Sequence, residues 1–168
     1  DIAEYGIVYK LFLCVMMFVG GNPAGTGGGV YAPVVAICVL EVLRVLRGVQ
    51  DVEIHNRRLA RNTVDRALAT VLLSIFWIGL TTMVVLLLEP SLAAQKDGLI
   101  KVFFMEVSAF TTTGYDLGAV QEISQVSKLI VSLNMLFGRV GMFTCMLIFI
   151  RPKNPAPVRF PETRLPLS

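Results

Sequence analysis

The chain has 168 residues, of which 55% are hydrophobic and 16% charged, and a formal net charge of +3. Soluble domains carry about a quarter charged residues, so this composition, with a mean hydropathy of +0.70, excludes an ordinary soluble domain. It predicts an integral membrane protein.

Residues 10–19 (KLFLCVMMFV) are apolar but too short to cross a bilayer. They run into the glycine-rich stretch 20–29 (GGNPAGTGGG), and an apolar run resumes over 30–40 (VYAPVVAICVL). The two halves and the break together have the length of one span. A helix broken at mid-depth leaves amides and carbonyls that lipid cannot satisfy, so the break must be buried in protein or line a water-filled path.

The glycine stretch has a second reading. Gly27-Gly28-Gly29-Val30-Tyr31-Ala32 satisfies G-x-G-x-x-A, with Asp51 and Glu53 at the distance of a ribose contact. That motif needs a tight strand-to-helix turn and an alternating strand–helix pattern, and neither is present. A phosphate-binding loop fails as well, because Thr26 stands where the lysine belongs.

Residues 41–66 mix apolar and charged residues and carry Arg44, Arg47, Arg57, Arg58, Arg61 and Arg66. The pattern fits an extension of the preceding helix, a turn near Gly48 and a second surface helix; a solvated linker fits equally. Functionally the segment reads as a docking face for a cytoplasmic partner, not as a nucleic-acid patch. His55, the sole histidine, lies here, so no histidine metal site or catalytic dyad lies within the membrane. Cys14, Cys38 and Cys145 sit singly in apolar runs and read as small buried hydrophobes.

Residues 67–88 (ALATVLLSIFWIGLTTMVVLLL) are uncharged, and roughly 18 or more such residues cross about 30 Å of hydrocarbon. Glu89-Pro90 ends that span. The connection beyond it has only Lys96 and Lys101 as cations, near Glu89, Asp97 and Glu106. Arg151, Lys153, Arg159 and Arg164 follow the last apolar run. By the positive-inside bias, loop 41–66 and the C-terminus are cytoplasmic, and 89–128 lies on the outer side.

Residues 99–110 (LIKVFFMEVSAF) are apolar and too short to cross, the pattern of a re-entrant helix. They lead into 111–118 (TTTGYDLG), where Thr112-Thr113-Gly114-Tyr115 resembles the T-V-G-Y of potassium-channel filters, loops whose backbone carbonyls replace an ion's hydration shell. Gly114 suits a backbone that must aim successive carbonyls inward. Asp116 replaces the final glycine of that motif. Residues 127–150 form a second full span, interrupted by Gly138-Arg139-Val140-Gly141. Arg139 at mid-span calls for a partner or a water cavity. It reads as a structural charge on the broken helix and as an electrostatic barrier beneath the filter. Five prolines mark 151–168 as an irregular tail.

Four segments together, MFVGGNPAGTGGG (17–29), VEIHNRRL (52–59), FFMEVSAFTTTGYDLG (103–118) and SKLIVSLNMLFGRVGMFT (127–144), resemble the Trk/Ktr/HKT superfamily of potassium uptake proteins. The resemblance implies an all-α integral membrane fold of helix–pore loop–helix repeats around a pseudo-fourfold, cation-channel-like pore, with one broken inner helix, and a transporter rather than an enzyme. Residues 1–47 would be the inner helix of a preceding repeat, 48–66 a basic cytoplasmic loop, 67–150 a complete repeat and 151–168 a cytoplasmic tail.

The resemblance further implies that the carbonyls of Thr112, Thr113, Gly114 and Tyr115 bind the transported ion, potassium, with sodium as the alternative. Gly20, Gly21, Asn22, Pro23, Ala24, Gly25, Thr26, Gly27, Gly28 and Gly29 would form the gating loop, and Arg139 would project toward it. The implied partners are membrane lipid, the remaining repeats, a second copy in a homodimer and a cytosolic nucleotide-binding ring subunit on 41–66 and the tail. Nucleic acid is not among them, and no cofactor is bound. Gly25 and Tyr31 depart from the family, where a serine and a basic residue are common.

One pore loop cannot surround an ion; a filter takes four. The length therefore predicts a C-terminal portion of a longer transporter, or a split subunit that must assemble. The alternative function is a non-conducting truncated pore domain that binds or regulates full-length subunits. A third is an unrelated secondary transporter with a broken helix.

Overall fold

The computed structural model describes residues 6–21, 27–48, 53–54, 57–141 and 144, with only the backbone of 53–54 and 57–58. Helices dominate. In order they are α1 (Ile7–Phe18), α2 (Ala32–Arg47), α3 (Arg61–Leu88), α4 (Pro90–Ala93), α5 (Gly98–Thr111), α6 (Ala119–Glu122) and α7 (Gln125–Val140). Two ladders of two residues each depart from the expected all-helical chain. One pairs β1 (Val19–Gly20) in parallel with β2 (Val30–Tyr31); the other pairs β3 (Glu53–Ile54) antiparallel to β4 (Arg57–Arg58).

The first ladder explains how a broken helix survives at its break. Val19 pairs with Val30 and Gly20 with Tyr31, so the two chain ends flanking the interruption satisfy each other's backbone. That is the accounting a break away from water requires. Beyond Gly48, where α2 ends, the second ladder occupies the place of the expected surface helix or linker.

α3 is 28 residues long and, among the described residues, the one helix long and apolar enough to cross a membrane. It begins at Arg61, ahead of the uncharged run, because a helix continues through charged residues once they can reach polar surroundings. Only 28% of its most apolar window is buried, whereas the core helix of a soluble domain would be mostly buried. Leu72, Phe76, Met83 and Leu87 instead point outward. Its polar residues turn back on the helix: Thr82 Oγ1 donates to the Ile78 carbonyl at 2.7 Å, and Ser74 Oγ to that of Thr70 at 2.7 Å.

The interior is organised around α5, a short helix packed against α7, α3 and α1. Its helical spacing divides it between two clusters. Phe104, Val107 and Phe110 join Cys14, Met17 and Ile78 of α1 and α3. Val102, Met105 and Ala109 join Val85 of α3 and Val131 of α7. A 14-residue helix apolar on nearly every side is thereby buried on nearly every side.

Cys14 is buried and Cys38 half-buried, both as free thiols. Cys145, His55, Asn22–Thr26 of the glycine stretch and the tail from 151 lie outside the described residues.

Candidate functional site

α5 ends at Thr111, and the chain leaves it in an unusual conformation. Thr112 has φ 55° and ψ 32°, the left-handed region, and is the one non-glycine residue with positive φ among those described. Such a backbone is an outlier for a β-branched residue. Gly114 follows with φ 82° and open space where a Cβ would stand, so its need for glycine is conformational rather than steric. The Thr112 amide bonds the Ala109 carbonyl at 3.1 Å and the Thr113 amide bonds that of Ser108 at 3.1 Å, which closes the helix end.

No donor among the described residues reaches the carbonyls of Thr112, Thr113, Gly114 or Tyr115. Residues 113–116 are exposed. The Thr113 hydroxyl is tied back to Thr111 Oγ1 at 3.1 Å, Met17 Sδ at 3.2 Å and Ser108 Oγ at 3.3 Å. Tyr115 is 52% exposed. Asp116, the departure from the channel motif, faces the next turn, where its Oδ2 accepts the Val120 amide at 3.4 Å. A cleft of ≈ 220 Å³ between this loop and α7 is bordered by Thr112, Gly114, Tyr115, Val131 and Met135.

The far end of the glycine stretch is seated directly against this turn. The Gly28 amide donates to Thr112 Oγ1 at 2.8 Å and to the Thr111 carbonyl at 3.1 Å. The Gly29 amide donates to the Gly138 carbonyl of α7 at 3.0 Å. A Cβ on Gly29, whose φ is 84°, would lie 2.9 Å from Thr111 Cγ2. One on Gly138 would lie 1.7 Å from the Phe110 carbonyl oxygen. Three elements far apart in sequence therefore meet at Gly28–Gly29, Thr111–Thr112 and Gly138.

Arg139 occupies the last turn of α7 and is exposed; most of the rest of the expected span, 142–150, lies outside the described residues. A cation there complements the helix dipole. The neighbouring Gly138 supplies the carbonyl that receives the Gly29 amide.

A second polar contact has no motif. Glu106, read in the sequence as one of the acids of the outer connection, is fully buried on α5, and so is Asn134 on α7. Asn134 Nδ2 donates to the Glu106 carbonyl at 2.9 Å and to its Oε2 at 2.5 Å. Glu106 Oε1 and Asn134 Oδ1 are buried and meet no donor among the described residues. The available signal was the placement of an acid in one apolar segment and an amide in another, since such residues at membrane depth mark interior contacts.

A family model described as "TrkH: Cation transport protein" matches residues 1–156. The chain belongs to this family of cation transport proteins. Among curated relatives, Ktr system potassium uptake protein D of Bacillus subtilis is 27% identical over 98% of this chain and 35% of its own length. Ktr system potassium uptake protein B of Vibrio alginolyticus is 30% identical over 96% and 34%. Potassium/sodium uptake protein NtpJ of Enterococcus hirae is 26% identical over 100% and 37%. The chain thus spans about a third of the length of the curated relatives it matches, and these relatives are transport proteins rather than enzymes. Family and helix length together make it a membrane chain.

Proposed function

We propose that this chain forms one part of the ion pathway of a potassium uptake transporter, with Thr112, Thr113, Gly114 and Tyr115 as one wall of its selectivity filter. The observation that carries this reading is the row of carbonyls at 112–115, which meet no donor among the described residues, set on the end of a short buried helix and turned by Gly114. Hard, oxygen-seeking cations are bound by such rows. The names of the relatives support potassium as the ion, with sodium beside it.

In this reading 98–111 is the pore helix of a complete repeat over 67–150, and 1–47 belongs to the repeat before it. The remaining repeats complete a pseudo-fourfold pore, and a second copy forms a homodimer. Gly20–Gly29 is the gate; the docking of Gly28 and Gly29 at the filter turn supports it. Arg139, one residue from the carbonyl that receives Gly29, sets an electrostatic barrier beneath the filter. The exposed apolar faces of α1 and α3 meet lipid or other repeats. The cation distribution supports a cytoplasmic 41–66 segment and C-terminus, where a nucleotide-binding ring subunit docks, and an outer 89–128.

The test is Gly114→Ser in the complete transporter. Potassium/sodium discrimination in cells or proteoliposomes falls, at wild-type amounts of membrane-inserted protein. Unchanged discrimination overturns the filter assignment.

A further inference from the structure

We infer that the Thr112 hydroxyl is a specificity-determining group, acting through the Gly28 amide that it accepts. The inference rests on the filter reading above and goes beyond it, because it assigns the selectivity of the loop to a side chain as well as to carbonyls.

Thr112 is the first residue of the proposed filter, and its left-handed backbone decides where the next carbonyls point. A β-branched residue does not hold that conformation unaided. The hydroxyls around it do not help: those of Thr111 and Thr113 bond each other, and Thr113 also bonds Ser108 and Met17. The Thr112 hydroxyl instead accepts from the glycine stretch, taking the Gly28 amide at 2.8 Å.

That donor is itself fixed. The Gly28 amide also reaches the Thr111 carbonyl, and the next amide, of Gly29, is anchored on Gly138. The fit has no slack. A Cβ on Gly28 would lie 3.1 Å from both Cγ2 and Oγ1 of Thr112, and 3.2 Å from the Gly138 oxygen. The hydroxyl and the glycine amide therefore act as a two-sided clasp on the first filter residue, which a carbonyl-only account of selectivity does not contain.

The test compares Thr112→Val, which keeps the shape and removes the acceptor, with Thr112→Ser, which keeps the acceptor. Both are made in the complete transporter, with Gly114→Ser beside them. Thr112→Val lowers potassium/sodium discrimination about two- to ten-fold, the factor by which one neutral hydrogen bond shifts an equilibrium. Thr112→Ser recovers what Thr112→Val loses. If Thr112→Val does not reach the membrane, Thr112→Ala, without the β-branch, reports the same loss. Equal discrimination in wild type and Thr112→Val overturns the clasp, and so does an equal loss in the Ser and Val variants, because the hydroxyl that Ser keeps would then restore nothing. A Gly114→Ser transporter with intact discrimination overturns the filter reading itself, whatever the Thr112 variants show.

Discussion

α5 meets α7 twice, one helical turn apart, and the two contacts are made of different chemistry. At Phe110 and Gly138 backbone lies on backbone, close enough that a Cβ on Gly138 would stand 1.7 Å from the Phe110 oxygen. Four residues earlier on both helices, Asn134 reaches across to Glu106 through two hydrogen bonds. The first contact depends on there being no side chain, so any atom added there must displace main chain. The second depends on donors and acceptors, so it accepts a change of shape more readily than a loss of polarity. The bare contact is also the one that touches the glycine stretch, through the Gly138 carbonyl. This close approach is thus placed where the glycine stretch, the Thr111–Thr112 turn and α7 converge.

The largest effect is expected from Gly138→Ala. A methyl group forced against a carbonyl at that distance is overpacking of the severe kind, about 3 kcal/mol or more. The thermal midpoint of the purified transporter in detergent, or the yield of membrane-inserted protein, reads the loss. Asn134→Leu comes next. It takes the Asn134 donor from the buried Glu106 carboxyl, at a cost of about 1–3 kcal/mol, while Asn134→Gln retains the donor and part of the stability. A milder effect for Gly138→Ala than for Asn134→Leu would invert the comparison.

Gly29→Ala probes the same node from the loop side. It meets Thr111 at 2.9 Å and requires a left-handed backbone, which for alanine costs about 1–2 kcal/mol. Its cost should fall below that of Gly138→Ala, because a side-chain methyl can give way and a carbonyl cannot. Equal losses at the two positions would show the loop to be as rigid as the helix pair.

What could be read in the sequence follows from the same contrast. The long span and the short helix before TTTGYDLG were legible, because length and apolarity are local properties. So was the need for a special backbone at Gly114. The ladder between 19–20 and 30–31 was not, since two residues carry no period. The start of α3 at Arg61 was hidden by its arginines, which look like loop when only apolarity marks a helix. Gly138 drew attention as part of an interruption around Arg139. That Gly138 makes the contact depends on Phe110, 28 positions earlier, and no local pattern contains that distance. Asn134 and Glu106 were within reach: each is a polar residue in an apolar run, and their pairing is the economical way to bury both.

Glu89 offers the smallest effect and a third kind of contact, one that titrates. It stands just beyond α3, where its Oε1 accepts the Ser124 amide at 2.7 Å and the Ser127 hydroxyl at 2.8 Å. It thereby ties the C-terminal end of α3 to the start of α7. Those bonds favour the ionised carboxylate and hold its pKa below the ordinary 4.5, the Ser124 side chain and amide contributing first. A carboxyl whose folded pKa lies below its unfolded one adds stability above the unfolded value and loses it as pH falls through the folded one. Wild type should therefore lose thermal stability on acidification below about 4.5. Glu89→Gln should begin less stable at neutral pH and change less on acidification. The hydrogen bond with Arg44 also holds Glu41 below its ordinary value, so the difference between wild type and variant carries the information. Parallel pH profiles for the two proteins would show that the end of α3 and the start of α7 are held together by packing alone. A gap that closes in acid would show that charge secures the start of α7, while bare backbone secures its far end at Gly138.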